Sequence, residues 1–228
     1  MKVSAVIPAA GSGQRMQNNI AKQFIRIGAK PILFYTLFQF ENCEIVDDIV
    51  LVVKEEEIQF TREEIVNEFG VRKVKHIVAG GLERQSSVFA GLQSLVNSTD
   101  YVIIHDGVRP FIPVDLIEDS VRLCVNHGAV ITAIPISSTV KLVDDHEVKE
   151  TIDRSNLWNV QTPQVFDFQL IYSAYKEAFE DGFFATDDSM IVERQNISVK
   201  VIEGSKQNIK ITTQEDLDFA RYLLEKKQ

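Results

Sequence analysis

Val3-Ser-Ala-Val-Ile-Pro-Ala-Ala10 runs without a break into Gly11-Ser-Gly-Gln-Arg15, and Lys22 follows a few residues on. An unalternating apolar run of this length reads as a strand buried on both faces, the hallmark of a parallel sheet. Where such a strand stops at a glycine pair, successive backbone N–H groups are left free to converge on one anion. Arg15 can add a flat fork of donors and Lys22 a point charge. The stretch Pro8, Ala9, Ala10, Gly11, Ser12, Gly13 therefore reads as a phosphate cradle, or else as a tight turn with solvated basic residues. Two better-known loops do not match. The dinucleotide fingerprint requires a third small residue where Met16 stands, and the Walker loop requires Gly-Lys-Ser/Thr.

Working outward, short apolar runs at 3–7, 48–53, 74–78, 101–105, 129–136 and 198–201 alternate with helical patterns at 31–40, 55–69, 86–96, 114–126 and 168–180. A last helix starts at Thr213, whose hydroxyl can cap it in concert with Asp216. This is the α/β class: a mostly parallel sheet with helices on both faces. No repeat, low-complexity segment or linker divides residues 1–228, which read as one domain. The alternation is broken once, across about 137–161. Thr139-Val-Lys-Leu-Val143 and Val148-Lys-Glu-Thr-Ile152 flank the polar turn Asp144-Asp-His146. That segment reads as a projecting β-arm. An exposed hairpin needs cover, which implies a partner subunit unless the arm folds back as an edge hairpin on its own domain.

With 228 residues, 45% hydrophobic and 25% charged, the chain has the composition of an ordinary soluble globular protein. A net charge of −9 excludes a general nucleic-acid binder and an anionic-membrane binder, because both require a basic face. An anionic substrate must then meet a local cationic cluster. Cys43 and Cys124 form neither a C-x-x-C pair nor a His-bearing cluster, so zinc sites and a disulfide framework are not expected and a reducing cytoplasm fits. The N-terminal stretch is too short, and too early interrupted by Pro8, for a targeting signal. No apolar run has the length of a membrane span.

In a doubly wound sheet, ligands sit beyond the carboxyl ends of the strands. After the second loaded end come Ala79-Gly-Gly-Leu-Glu-Arg-Gln-Ser-Ser87, where Gly80 and Gly81 let a flat ring approach the backbone. After the third come His105-Asp-Gly-Val-Arg-Pro110. Asp106 there is the kind of carboxylate that Mg²⁺ takes beside substrate phosphates, or it pairs with Arg109 and caps a turn. The four histidines are scattered, and His105 reads as a hydrogen-bonded structural residue rather than a ligand. Gln161-Thr-Pro-Gln164 and Asn208-Ile-Lys-Ile-Thr212 read as caps or turns. Thr186-Asp-Asp188 sits where a helix N-cap is expected.

Taken in order, Pro8-Ala-Ala-Gly-Ser-Gly-Gln-Arg-Met16, Lys22-Gln-Phe24, Gly80-Gly-Leu-Glu-Arg-Gln-Ser-Ser87, His105-Asp-Gly-Val-Arg-Pro110, Asp153-Arg154, Leu157-Trp158, Gln161-Thr-Pro-Gln164, Thr186-Asp187 and Asn208-Ile-Lys-Ile-Thr212 closely resemble the 2-C-methyl-D-erythritol 4-phosphate cytidylyltransferases. The resemblance implies a Rossmann-like nucleotidyltransferase fold, Mg²⁺, a homodimer, and transfer of CMP from CTP to a sugar-alcohol phosphate. It implies that Arg15, Lys22, Asp106 and Lys210 are catalytic, with Asp106 near the metal. Pro8 to Gly13, Gly80, Gly81, Arg84 and Ser87 would hold the nucleotide. Asp106, Arg109, Thr162, Thr186 and Asp187 would bind the acceptor, with Thr139 and Arg154 reaching it from the neighbouring subunit. Ser86 and Ser138 stand where many relatives carry Asp, and Leu82 occupies a variable position. Ribitol-5-phosphate cytidylyltransferase is a cousin, but Asp153-Arg-Ser-Asn-Leu-Trp158 leans to the methylerythritol enzymes. A non-catalytic nucleotide sensor on the same scaffold is the alternative of another class.

Overall fold

The computed structural model describes residues 1–11, 21–97 and 99–226. Its centre is a seven-stranded sheet. In chain order the elements are β1 (Val3–Pro8), a 3₁₀ turn (Lys22–Phe24), β2 (Arg26–Ile27), β3 (Lys30–Pro31), α1 (Ile32–Glu41), β4 (Asp48–Val53), α2 (Ile58–Thr61), β5 (Val74–Ala79), α3 (Arg84–Gln93), β6 (Tyr101–Ile104) and α4 (Val114–His127). Then follow β7 (Ala129–Pro135), β8 (Val140–Asp144), β9 (Glu147–Ile152), β10 (Trp158–Asp167), α5 (Phe168–Glu180), α6 (Asp188–Glu193), β11 (Lys200–Glu203) and α7 (Gln214–Glu225). The sheet order is β11-β7-β10-β6-β1-β4-β5.

The two periodicities of strand and helix explain how this sheet is covered. Along β1, Val3, Ala5 and Ile7 point to one face and join Leu33, Leu37 and Phe40 of α1 and Ile117 and Val121 of α4. Val6 points to the other face, against Val88 and Leu92 of α3 and Phe168, Ile171 and Tyr175 of α5. A strand buried on both faces thus needs apolar residues at every position, as the opening run supplies. Helix ends obey the local chemistry read from the chain. Thr213 and Asp216 form a reciprocal capping box, and Asp187 accepts from the Met190 N–H at the start of α6. Gly128, at φ 81°, ends α4 in the left-handed region.

The structure departs from the sequence reading in three places. The acidic stretch 55–69 is not one α-helix: a 3₁₀ turn (Glu55–Glu57), the single α-turn of α2 and a π-helical segment (Arg62–Asn67) follow one another. The strand expected at 198–201 lies two residues later, as β11. The larger departure is β10, which carries the Gln161-Thr-Pro-Gln164 segment expected to be a cap or turn. It runs antiparallel between β6 and β7, the only antiparallel neighbour in an otherwise parallel sheet of described residues. A proline inside an apolar run argues against an internal strand because it cannot donate to the ladder. Here Pro163, after a cis peptide bond, falls within a register shift between Val160 and Gln164, and its carbonyl accepts from the Thr132 hydroxyl at 3.1 Å.

Within 137–161, β8 and β9 pair antiparallel as a hairpin around Asp145 and His146, both at positive φ, as a primed turn requires. Its Leu142, Val143 and Val148 are more than half exposed. No helix among the described residues is long and apolar enough to cross a membrane.

Candidate active site

Three strand ends converge. Ala9 donates to the Val52 carbonyl at 2.7 Å and Gly107 to the Pro8 carbonyl at 3.1 Å, so the loops after β1 and β6 are tied to the sheet and to each other. The loop after β5 closes on them because residue 80 is glycine. A Cβ there would lie 2.7 Å from the Cβ of Ala10 and 2.7 Å from Oγ of Ser87. Gly80 therefore lies beneath the cleft as a packing position, whereas Pro8, Ala9, Ala10, Gly11, Lys22, Gly81, Arg84, Ser87, Asp106 and Lys210 line it. The exposed Leu82 and Glu83 form part of its rim.

A second cleft adjoins the first and shares Arg84, Asp106 and Lys210 with it. Its other walls come from Thr162 and Gln164 of β10 and from Thr186, Asp187, Ser189 and Glu193 at α6. Asp187 is held by three donors: the Met190 N–H, the Ser189 hydroxyl and the Gln164 amide.

Between the clefts lies a cluster of charges. Oδ1 of Asp106 accepts from Nε of Arg84 at 3.0 Å, and Oδ2 lies 2.9 Å from Nζ of Lys210 and 3.5 Å from Nε of Arg109. Burial alone would raise the Asp106 pKa, but Arg84, Lys210 and Arg109 overcome it and hold this carboxyl well below the usual carboxylate range. The outer edge of the Arg84 guanidinium forks onto Asp188 at 2.9 and 2.7 Å. Asp188 is fully buried and also accepts from the Tyr175 hydroxyl at 2.5 Å. Burial disfavours the Arg84 charge, yet the two carboxylates raise its pKa well above the ordinary value. Arg109 is pushed the other way, lowered by burial against the pull of Asp106. Arg84, Arg109 and Lys210 thus gather around Asp106 and Asp188, a concentration of cations in a chain of net −9.

Behind the cluster the polar groups interlock. His105 is fully buried, and burial pushes its pKa down to about 4, so its ring is neutral. The Asp106 N–H donates to Thr162 Oγ1 at 3.1 Å, and the Asn208 amide donates to the Thr162 carbonyl at 2.8 Å. Arg109 donates from Nη1 to the Asn208 carbonyl at 2.8 Å. It faces neither cleft. Thr139 and Arg154 also lie away from both, on the arm and at its base, where Arg154 donates to the Ser137 carbonyl. Ser12, Gly13 and Arg15 lie outside the described residues. Asp188 and Tyr175 had no assigned role in the sequence. The doublet Asp187-Asp188 was the available signal, since only one of two adjacent acids can cap a helix and a buried second one needs a cation.

A model of the 2-C-methyl-D-erythritol 4-phosphate cytidylyltransferase family matches residues 3–226. The chain belongs to that family. It is 43% identical to the 2-C-methyl-D-erythritol 4-phosphate cytidylyltransferase of Clostridioides difficile, over 97% of this chain and 93% of that protein. With the enzyme of Alkaliphilus oremlandii it shares 44% identity, over 98% and 95%. Among solved structures, the 4-diphosphocytidyl-2C-methyl-D-erythritol synthase of Anaerococcus prevotii superposes with a TM-score of 0.86 at 36% identity, covering 98% of this chain and 96% of that one. That of the Thermus thermophilus enzyme does so at 0.80 and 27%, over 99% and 100%. The fold is thus the α/β nucleotidyltransferase fold, and the family is one of enzymes.

Breaking the deepest ion pair should cost more than trimming its support. Asp188→Asn leaves the Arg84 fork without its anion and is expected to lower unfolding free energy by about 3 kcal/mol. Tyr175→Phe removes one hydrogen bond to a carboxylate that keeps Arg84, at about 1.5 kcal/mol. Urea unfolding of both variants checks the order, and an equal or reversed order contradicts it.

Proposed function

We infer that the chain transfers CMP from CTP to 2-C-methyl-D-erythritol 4-phosphate, giving 4-diphosphocytidyl-2-C-methyl-D-erythritol and pyrophosphate. The observation that carries this reading is one cationic cluster shared by two adjoining clefts, in a chain whose whole length matches this family. The first cleft suits the nucleotide: backbone at Ala10 and Gly11 with Lys22 for the triphosphate, and Gly81 for the approach of the base. The second suits the acceptor, its phosphate toward Lys210 and its hydroxyls toward Thr186 and Asp187.

Little covalent chemistry is then required. The acceptor phosphate is already ionised, so an oxygen of it attacks the α-phosphorus without a general base, and the bond to the departing pyrophosphate breaks opposite. Lys22 and Lys210, from the two sides, counter the charge that builds on the phosphoryl oxygens. Arg84 acts by fixing Asp106 between the clefts, since all three of its nitrogens are committed to carboxylates. Mg²⁺ fits this donor set in one way. Asp106 would supply a single hard oxygen if Lys210, 40% exposed and the most exposed of its partners, turned from Oδ2 toward phosphate. No group of three or more metal-ligating acids, histidines or cysteines exists among the described residues, so substrate phosphates would complete the shell. Bound there, the ion supplies charge neutralisation on the triphosphate.

The arm reads as the contact to a second copy of the chain. Its exposed Leu142, Val143 and Val148 need cover, and Thr139 and Arg154 face neither cleft of their own subunit. In a homodimer they would complete the partner's acceptor cleft. The enzyme would work in the cytoplasm, where its thiols stay reduced.

Pyrophosphate release from CTP, Mg²⁺ and methylerythritol phosphate tests the reaction directly, and no release with that acceptor overturns it. Lys22→Ala is expected to lower kcat by about 100-fold, with a smaller rise in KM for CTP, because the charge is aimed at the transition state. An equal effect on both constants contradicts that role. Co-expression of Lys22→Ala and Arg154→Ala chains is expected to restore roughly a quarter of wild-type activity, since a mixed dimer carries one intact site and about half of randomly formed dimers are mixed. No recovery in verified heterodimers assigns Arg154 to its own subunit.

A further inference from the structure

We propose that His105 is a positioning residue for the reaction: it holds the proton of the Thr162 hydroxyl away from the acceptor cleft, and through that hydroxyl it fixes the backbone of Asp106. The proposal deepens the functional reading above and rests on it.

The assignment follows from the donors and acceptors present. His105 has no exposed surface, and its ring packs on Phe40 with centroids 5.1 Å apart. Its Nε2 lies 3.1 Å from the Arg109 carbonyl oxygen, which can only accept, so Nε2 carries the proton. In a neutral ring Nδ1 is then an acceptor. It faces Thr162 Oγ1 at 3.1 Å, so the hydroxyl donates into the ring. The same oxygen takes the Asp106 N–H at 3.1 Å.

The Thr162 hydroxyl thus has its proton and one lone pair committed inside the protein. What remains for the second cleft, which Thr162 lines, is the other lone pair. A lone pair accepts from a hydroxyl and repels a phosphate oxygen. Thr162 would therefore receive a hydroxyl group of the acceptor and leave its phosphate to Lys210, which lines the same cleft. Were the ring to carry its proton on Nδ1 instead, the Thr162 proton would be released into the cleft and that preference would reverse.

Two side chains separate the two ring nitrogens. His105→Asn places an amide oxygen near the position of Nδ1 and can still accept from Thr162, while losing the bond to Arg109. His105→Gln can reach the Arg109 carbonyl with its N–H but leaves the Thr162 proton without its acceptor. The expected result is kcat/KM for the acceptor within about threefold of wild type for Asn and reduced about tenfold or more for Gln, with KM for CTP unchanged in both. Thr162→Val in each background should erase the difference between them. A purely structural histidine would give activity losses that follow the drop in Tm, in which case equal kcat/KM for Asn and Gln overturns the proposal. Nitrogen-15 NMR of the wild-type ring decides even if the variants fold poorly. The signal that vanishes in a His105 variant should belong to the Nε2–H form, and an Nδ1–H or doubly protonated ring overturns the proposal. Wild-type pyrophosphate release in the same assay distinguishes failure of this inference from failure of the underlying reaction.

Discussion

The Asp106 carboxylate, enclosed by Arg84, Lys210 and Arg109, is the point on which the site's geometry depends. A buried carboxylate is unfavourable unless cations and hydrogen bonds compensate it, and cations packed together are unfavourable unless a carboxylate lies between them. Each therefore fixes the others. Since Arg84 starts α3, Asp106 and Arg109 follow β6, and Lys210 follows β11, this exchange of charge locks three loops at one end of the sheet. Asp188 and Tyr175 extend the lock to α6 and α5. Arg84 and Lys210, the two cations of the cluster that line the clefts, lie where an anionic donor and an anionic acceptor would meet.

The antiparallel β10 is what makes a second cleft possible. A parallel strand beside β6 would need a crossover over the sheet. A strand returning from the arm instead runs directly between β6 and β7. It brings Thr162 beneath Asp106 and Gln164 onto Asp187, tying the walls of the second cleft to the charge cluster by hydrogen bonds. Asn208 seals the third loop to the same strand through the Thr162 carbonyl.

Much of this was legible in the chain because it is local. The uninterrupted apolar run of β1, the capping box at Thr213, the cap at Asp187 and the hairpin around Asp145 and His146 each follow from spacing within a few residues. Ala10, Gly11, Gly81, Arg84, Ser87 and Asp106, among the residues singled out at strand ends, also gather, since parallel strands place their carboxyl ends on one side. What could not be read depends on contacts remote in sequence. Pro163 disguised β10, because nothing in the sequence says that the missing donor coincides with a register shift. Arg84 lines the first cleft, but its full commitment to Asp106 and Asp188 required knowing that residues 84 and 188 meet. Gly80 looked like part of the cleft wall, whereas its missing Cβ is needed for packing below it.

One charge cluster serves both clefts, and Lys210 lines both and is the most exposed of the cations on Asp106. Calorimetric titration of Lys210→Ala with a non-reacting CTP analogue, and separately with the acceptor phosphate, gives the answer. Both affinities are expected to fall, each by about tenfold, on loss of a charge-assisted contact. A loss confined to one ligand, with the other bound as in wild type, would contradict it.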